Sequence, residues 1–389
     1  MPDVAIVGGG IIGAACAHEM ARRGASVVLI ERDELASGAS GRNQGWLVLS
    51  PDPPCTPMSR ASLSVYREVV DTSAVPVRFD HEPIGFLLVA TDERAAEAAG
   101  AHAQTWAATG VGAEFFDGAA LRAAEPALAD DVLGAWRVDE GRRVDPGALT
   151  VALATAARDL GADIRHHVNV RSLTHTRGRV TGVATDDGVI AADTIVLAAG
   201  PWSAPLVRPL GIDLPVTGAR GWIVELAAAP GLLHHLIEEE DGVPEEAERF
   251  PLASELAAGV APEPAVAAIM HAAPDGTVVC GASHHPVLRP EAEDAHAPSR
   301  IAARAIRVVP ALADLTVRGT RWGIRPMSPD GRPLVGRLME GLFAATGHGP
   351  EGVLLGGGTA ALVGAFIAGE APPFDPAAFD PGRFSGAAR

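Results

Sequence analysis

Apolar segments near the N-terminus predict a strand, a helix and a second strand in close succession. Residues 4–7 are apolar and mostly β-branched, as in a strand buried on both faces of a parallel sheet. The pattern then predicts a helix over residues 11–23 and a second strand over 26–30. Glu31 follows the second strand directly. The chain therefore opens on a strand–helix–strand unit that ends in an acid.

The turn between the first strand and the helix has the sequence GGGIIG. Gly8 allows a tight turn, Gly10 lets the backbone approach a pyrophosphate, and Gly13 lets the helix pack closely on the strand. Phosphates would then lie on the free N–H groups at the positive end of the helix dipole. Glu31, 18 positions after Gly13, would accept hydrogen bonds from an adenosine ribose. The pattern predicts an adenine dinucleotide and leaves NAD and FAD both open.

Similar patterns predict elements along the rest of the chain. Residues 194–198 are almost wholly apolar and predict a central parallel strand, whereas 223–226 and 277–281 predict strands of a separate antiparallel sheet. The proline-rich residues 51–57 predict a linker or turn, and Asp145 is a candidate N-cap. Other predicted strands lie at 85–90, 163–170, 179–185, 189–191 and 342–346, and helices at 62–71, 93–109, 118–124, 146–160, 298–308 and 352–369.

This order of elements predicts an α/β fold in which a Rossmann-like nucleotide domain is interrupted by an α+β substrate domain with an antiparallel sheet. We predict that the nucleotide domain comprises residues 1–80, 140–215 and 320–389. The substrate domain would comprise residues 81–139 and 216–319.

Composition narrows the class of protein. Hydrophobic residues make up 48% of the chain, but no apolar run reaches the roughly 18 residues that span a bilayer. The first core strand starts too early to leave room for a signal peptide. We therefore expect a cytoplasmic protein without a membrane span. The net charge of −17 disfavours nucleic acid and anionic membranes as partners.

The chain contains no lysine, so all 31 basic residues are arginine. Schiff-base catalysis, a P-loop lysine and a lysine general base are thereby excluded. Cys16, Cys55 and Cys280 are far apart in sequence, and Cys16 lies on the packing face of the first helix. We therefore expect neither a disulfide framework nor a metal site.

An acidic, proline-rich stretch covers residues 228–264 and includes the run EEED at 238–241. We interpret this run as a solvated surface face. A mobile lid or a contact with a partner is the alternative interpretation.

Three segments together resemble one family. They are VAIVGGGIIGAACAHEMARRGASVVLIER, DTIVLAAGPWS, and RWGIRPMSPDGRPLVG followed by LFAATGHGPEGVLLGGGTAALVGAFIAG. They resemble FAD-dependent oxidoreductases of the D-amino-acid oxidase superfamily, in the branch of glycine oxidase, sarcosine oxidase and D-amino acid dehydrogenase. The pairing of GIRPMSPDG with ATGHGPEG is the more specific part, and it favours FAD over NAD.

The resemblance implies a cofactor site split along the chain. Its residues would be Gly8, Gly10, Ile11, Ile12, Gly13, Glu31, Arg32, Ser40, Arg42, Asn43, Gln44, Gly45, Val170, Ala199, Gly200, Trp202, Arg325, Gly347, His348, Gly352, Val353 and Leu354. The last five would bring a helix N-terminus to the flavin N1–C2=O edge, where negative charge develops. Relatives with covalent flavin use a cysteine near the position of Arg325 or a histidine near that of Arg42. This chain has neither, which implies non-covalent FAD.

The resemblance also implies that Arg325 holds the substrate carboxylate, since a guanidinium can bind it through two parallel hydrogen bonds. The alternative is a structural arginine paired with Asp330, and Arg321 and Arg332 are more typical of structural residues. Sarcosine oxidases use a lysine and D-amino acid oxidases a pair of tyrosines at the active site, and this chain has neither. Its polar contacts with the substrate must therefore come from other residues. The candidates are Trp46, Arg220 and His284, with Trp222, His285 and His348; the pair His284–His285 is also typical of an exposed strand end.

The function implied is oxidation of the C–N bond of a glycine-like, N-substituted or D-amino acid. A hydride would pass from Cα to flavin N5, giving an imino acid that hydrolyses to a 2-oxo acid. Oxygen or an acceptor partner would take the electrons. Two alternatives stay open: oxidation of a 2-hydroxy acid, with His348 or His284 as the base, and a flavin-carrying subunit of a larger dehydrogenase.

Overall fold

The structure, a computed structural model, describes residues 1–240, 265–287 and 296–384. The helices in these ranges are α1 (Ile11–Arg22), α2 (Cys55–Thr72), α3 (Glu93–Ala108), α4 (Gly118–Ala124), α5 (Pro146–Asp159), α6 (Ser203–Val207), α7 (Ala297–Val308) and α8 (Gly352–Ala368). The strands are β1 (Val4–Val7), β2 (Val27–Ile30), β3 (Trp46–Leu47), β4 (Phe86–Ala90), β5 (Ala113–Asp117), β6 (Gly134–Val138), β7 (Arg142–Arg143), β8 (Asp163–Arg165), β9 (Val170–Thr176), β10 (Arg179–Thr185), β11 (Gly188–Ala191), β12 (Thr194–Leu197), β13 (Thr217–Ala227), β14 (Leu236–Glu240), β15 (Ala265–Ala272), β16 (Thr277–Val287), β17 (Thr316–Met327), β18 (Leu334–Met339) and β19 (Leu342–Thr346).

A mostly parallel sheet holds the N-terminal unit. Among the described residues its strand order is β18-β19-β12-β1-β2-β8. β1 pairs in parallel with β2 on one side and with β12 on the other, and all three strands are apolar and largely buried. The predicted central parallel strands are confirmed. Because the carboxyl ends of these strands meet at one edge, the glycine turn and Glu31 lie together there.

A second, largely antiparallel sheet has the order β17-β13-β16-β15-β14-β4-β6-β5 within the described ranges. β13 lies between β17 and β16, with Trp222 opposite Trp322 and Val224 opposite Cys280. The predicted antiparallel strands are confirmed and extend further than the sequence indicated. The mixed α/β class is confirmed as well, whereas the domain limits stay a prediction.

Helices α1, α2, α5 and α8 cover the parallel sheet. α1 packs against α5 and α8, and α2 packs against α8. The glycines of α8 permit this close approach, since a Cβ on Gly358 would lie 2.5 Å from the carbonyl oxygen of Met58. Residues Gly349–Ala368 are long and apolar enough to cross a membrane by length and composition, but two thirds of that segment is buried within the protein. This burial is typical of a core helix.

Two predicted boundaries are wrong. Helix α2 already begins at Cys55, inside the predicted linker, because the carbonyl oxygen of Asp52 accepts hydrogen bonds from the N–H groups of Cys55 and Thr56. The first turn of a helix tolerates proline, because the backbone N–H that proline lacks has no partner within the helix there. The strand predicted at 163–170 ends at Arg165, and the left-handed backbone of His167 (φ +56°) separates it from β9.

The interpretation of the acidic run as a solvated face is wrong for two of its members. Glu239 and Glu240 are buried in β14. Arg304 Nε lies 2.6 Å from a carboxylate oxygen of Glu239, and His102 Nδ1 lies 2.7 Å from one of Glu240. Consecutive strand residues point to opposite faces, so a run of three cannot all face solvent. Residues 241–264, including Asp241, lie outside the described residues.

Candidate functional site

The glycine turn after β1 has the close contacts that the fingerprint predicts. Gly8 has a left-handed backbone (φ +112°). A Cβ on Gly13 would lie 1.8 Å from the carbonyl oxygen of Gly8, so only glycine allows α1 to lie this close to the turn. A Cβ on Gly10 would lie 2.9 Å from Ser40 Oγ. The Ser40 hydroxyl also accepts a hydrogen bond from the Ile11 N–H at 2.9 Å, so it lies at the N-terminus of α1.

Glu31 lies beside this turn at the end of β2. One of its carboxylate oxygens accepts a hydrogen bond from the Gly9 N–H at 2.6 Å, and the other accepts one from the Asp33 N–H at 2.8 Å. These bonds fix the carboxylate at the edge of the sheet. Nearby, the Arg32 guanidinium lies 4.9 Å from the centre of the Trp202 ring.

One cavity of about 1040 Å³ joins the predicted segments. Its lining comes from the glycine turn, from residues 37–51, from residues 198–206 and from the start of α8. The predicted cofactor residues that line it are Gly8, Gly10, Ile11, Ile12, Glu31, Arg32, Ser40, Arg42, Asn43, Gln44, Gly45, Val170, Ala199, Gly200, Trp202, Arg325, His348, Gly352, Val353 and Leu354. Gly13 and Gly347 are not in the lining.

The N-terminus of α8 faces the same cavity. Gly352, Val353 and Leu354 line it, and the Tyr66 hydroxyl donates a hydrogen bond to the Val353 carbonyl oxygen at 2.6 Å. The free N–H groups of this first turn form a positive end of the helix dipole. Glu351 precedes the helix, and burial raises the pKa of its carboxyl group to about 7.

His348 is buried just before this helix. Its Nε2 lies 2.9 Å from Thr359 Oγ1, and its Nδ1 has no hydrogen-bond partner among the described residues. Burial lowers the pKa of His348 to about 3, so the ring is neutral at neutral pH.

Arg325 crosses the antiparallel sheet from β17. Its Nη1 donates a hydrogen bond to the Ser283 carbonyl oxygen at 2.9 Å. The guanidinium passes over Gly221 of β13, where a Cβ would lie 2.4 Å from Nη1. Burial lowers the pKa of Arg325 to about 10, which still leaves it charged at neutral pH. The result is a fixed positive charge in the cavity wall.

The alternative hypothesis, a structural ion pair between Arg325 and Asp330, is wrong. Asp330 pairs instead with Arg383, at 2.8 Å. The two neighbouring arginines have ion-pair partners. Arg332 binds both carboxylate oxygens of Asp52, at 2.7 and 2.9 Å. Arg321 pairs with Glu225 and donates to the Asn43 carbonyl oxygen.

The residues predicted to contact the substrate do not all line the cavity. Trp46 lines the cavity, and its Nε1 donates a hydrogen bond to His271 Nδ1 at 2.8 Å. Arg220 is fully buried with its guanidinium 4.8 Å from the centre of the Trp322 ring. His284 is half-buried in β16, and burial and the nearby charge of Arg325 lower its pKa to about 3. Arg220, Trp222, His284 and His285 are not in the cavity lining.

Several lining residues were not predicted from the sequence. They include Phe86, Trp106, Glu238, Ile269 and Glu351. Glu238 was hidden in a run that we interpreted as surface. Glu351 directly follows the GHGP motif, so its place in the sequence could have indicated that it lines the site.

The cavity fits a flavin dinucleotide. Gly8, Gly10 and the N-terminus of α1 line the cavity and suit a pyrophosphate, and the N-terminus of α8 suits the anionic edge of a flavin. Gln44 Oε1 and His348 Nδ1 are buried and have no hydrogen-bond partner in the described part of the chain. No cysteine of the described ranges lines the cavity, and non-covalent binding of FAD stays a prediction. The described residues contain no group of three metal-ligating side chains.

Comparison with known proteins agrees with this geometry. The family model described as DAO, FAD dependent oxidoreductase, matches residues 3–365. A glycine oxidase of Geobacillus kaustophilus is 29% identical over 399 residues, covering 99% of this chain and 97% of that protein. The crystal structure of glycine oxidase from the same organism matches with a TM-score of 0.85 at 27% identity and covers 98% of both chains.

The bifunctional protein ThiO/ThiG of a Nostoc species is 30% identical over 376 residues, which cover 94% of this chain and 52% of that protein. The chain therefore spans about half the length of this relative. Because the family model covers most of its length, the chain belongs to the DAO family of FAD-dependent oxidoreductases, with FAD as cofactor.

Proposed function

We propose that the protein oxidises the C–N bond of a small amino acid that is glycine-like, N-substituted or of the D series. The substrate would become an imino acid, which water hydrolyses to a 2-oxo acid. The observation that carries the proposal is the charged guanidinium of Arg325, which lines the same cavity as the N-terminus of α8. FAD, when bound, supplies the acceptor for the hydride that leaves the substrate Cα.

Arg325 binds the substrate carboxylate. A guanidinium has five N–H donors, and the Ser283 carbonyl oxygen takes one of them. The remaining donors can bind both oxygens of a carboxylate, with each charge-assisted bond contributing about 1.5–3 kcal/mol. Because the guanidinium is held at Ser283, the carboxylate is oriented as well as bound.

The histidine just before α8 does not supply a strong base. His348 is neutral and weakly basic, since burial lowers its pKa to about 3. Binding therefore selects the substrate with a deprotonated amine, which can release a hydride without an added base. The N–H groups at the start of α8 stabilise negative charge that develops at the flavin edge.

Part of the cavity wall is formed by large apolar side chains. Trp46, Phe86 and Trp106 line it, together with Ile269. Such a wall excludes water from the reacting carbon and strengthens the electrostatic interactions within the cavity. The glycine oxidase of Geobacillus kaustophilus, similar over almost the whole chain, supports an amino acid as substrate.

Anaerobic bleaching of the flavin absorbance tests the proposal. We expect bleaching by members of a panel of glycine, N-alkyl glycines and D-amino acids. Peroxide formation in air would identify oxygen as the final acceptor, and its absence would favour an acceptor partner. A purified flavoprotein that no amino acid bleaches would contradict the proposal.

The role of Arg325 is tested by Arg325→Ala. Loss of the charged hydrogen bonds should raise KM roughly 10- to 100-fold for carboxylate substrates. Arg318→Ala is the matched control, because Arg318 lies on the same strand with its side chain exposed and bound to Thr277. Unchanged kinetics in Arg325→Ala would refute the assignment.

The alternative substrate is a 2-hydroxy acid, whose hydroxyl proton needs a base. The unpartnered Nδ1 of His348 is the observation that keeps it open, although the low pKa makes this ring a weak base. A panel of hydroxy acids in the same bleaching experiment separates the two. The third candidate, a flavin-carrying subunit, loses support because Glu239 and Glu240 of the acidic run are buried.

A further inference from the structure

We propose that the preferred substrate is an amino acid with a basic side chain, whose terminal cation binds Glu238 while its carboxylate binds Arg325. This inference rests on the proposed function and specifies its substrate class. It follows from a carboxylate and an aromatic cluster at the end of the cavity away from Arg325.

Glu238 lies on β14 and lines the same cavity as Arg325. It pairs with Ile269 of β15, which also lines the cavity. Leu236 pairs with Phe86 of β4, and residues two apart on a strand share a face. Glu238 and Phe86 therefore lie on the same face of the sheet, which forms one end of the cavity.

The two charged ends are separated by the length of a basic amino acid. Arg325 reaches Ser283 on β16, and β16, β15 and β14 are successive neighbours in the sheet. Two strand spacings of about 4.8 Å, with two residues of about 3.3 Å along the strand, separate the backbones of Ser283 and Glu238 by about 12 Å. The Glu238 side chain shortens this gap toward the length of lysine or arginine, whose alkyl stem would pass the Gln44 amide that lies over Gly281.

Three aromatic residues line the same end of the cavity. The ring centres of Trp46 and Phe86 are 5.7 Å apart, and those of Phe86 and Trp106 are 5.5 Å apart. The hydrogen bonds of Trp46 to His271 and of Trp106 to the Leu49 carbonyl oxygen fix the two indoles. Aromatic faces attract cations and also cover an alkyl stem, so this wall suits both parts of a basic side chain.

Glu238 is the acidic residue that β14 contributes to the described lining of the cavity. The basic residues among its described lining are Arg32, Arg42, His167, Arg325 and His348, and none of them lies on β4, β14 or β15. Glu238 already has an interaction partner. A carboxylate has two oxygens with about four acceptor positions, so it can bind a substrate cation beside that partner.

The experiment compares D-lysine and D-arginine with D-norleucine, an uncharged amino acid with a side chain of similar length. We expect the kcat/KM for flavin reduction to be at least 10-fold higher for the basic substrates in the wild-type protein. Glu238→Gln should remove most of this preference, measured as the ratio of kcat/KM for D-lysine to that for D-norleucine. The preference should also fall at high salt, which screens the ion pair.

Glu240→Gln is the matched control, because Glu240 lies on the same strand but pairs with His102 and is not in the cavity lining. It should keep the preference for basic substrates. If Glu238→Gln fails to fold, the ratio of kcat/KM for D-lysine to that for D-norleucine in the wild-type protein still tests the preference for basic substrates. Equal rates for D-lysine and D-norleucine would overturn this inference and leave the proposed function intact, whereas a flavin that no amino acid reduces would overturn both.

Discussion

Arg325 Nη1 donates a hydrogen bond to the Ser283 carbonyl oxygen at 2.9 Å, across the intervening strand β13. This contact sets where the guanidinium lies, and the absence of a side chain on Gly221 makes the crossing possible. A surface arginine would have to lose rotamer freedom when it binds a substrate. Because Arg325 is held in advance, binding a carboxylate does not carry that cost.

Gly221→Ala should therefore weaken binding of the substrate carboxylate. The new Cβ would lie 2.4 Å from Arg325 Nη1 and 2.7 Å from Cζ, so the guanidinium must move. We expect KM for amino acid substrates to rise at least 10-fold, with FAD content unchanged. Gly319→Ala is the control, because a Cβ at Gly319 of β17 would meet no atom within 4 Å. Equal KM values in the two variants would show that Arg325 is not the carboxylate ligand.

Gly13→Ala should destabilise the fold and abolish retention of FAD. A Cβ at this position would lie 1.8 Å from the Gly8 carbonyl oxygen, and backbone atoms cannot yield as a flexible side chain can. Displacement of α1 from the turn should cost on the order of 2–4 kcal/mol. Thermal unfolding and the ratio of flavin to protein absorbance measure both effects. Gly319→Ala, where a Cβ would meet nothing within 4 Å and which is not in the cavity lining, should behave as the wild type.

The N-terminal half of the site could be predicted because its determinants are local. The glycine spacing, the apolar strands and Glu31 lie within 31 consecutive residues, and each follows from its neighbours in sequence. Arg325 and the start of α8 required the resemblance to a family, since no local pattern assigns a carboxylate ligand. The roles given to individual site residues stay predictions.

The rest of the site depends on strand pairing between distant segments. The aromatic wall joins Trp46, Phe86 and Trp106 through β3, β4 and α3, and no sequence spacing indicates that these rings meet. The acidic run shows the same limitation. Its composition indicates a solvated face, but Glu239 and Glu240 are buried against Arg304 and His102, which are remote in sequence.

Glu351→Gln should change the pH dependence of stability. Burial, which is the largest cause, raises the pKa of Glu351 from 4.5 to about 7; the nearby charge of Asp52 adds to the shift and Ser50 opposes it. His348, Cys55 and the Asp52–Arg332 ion pair are its other charged or titratable neighbours. In the unfolded chain the carboxyl group loses its proton near pH 4.5, whereas the folded protein holds it until about pH 7.

The folded state thus binds more protons than the unfolded state between these two pH values. The stabilising contribution is complete below pH 4.5, declines as the pH rises and is lost above about pH 7. Relative to Glu351→Gln, the wild type should lose on the order of 1–3 kcal/mol of stability between pH 5 and pH 8. Tm values of both proteins with excess FAD at the two pH values measure this change. Glu114→Gln, at an exposed carboxylate on β5, is the control whose Tm difference from the wild type should not grow with pH. A constant Tm difference between Glu351→Gln and the wild type would show that Glu351 does not hold a proton at neutral pH.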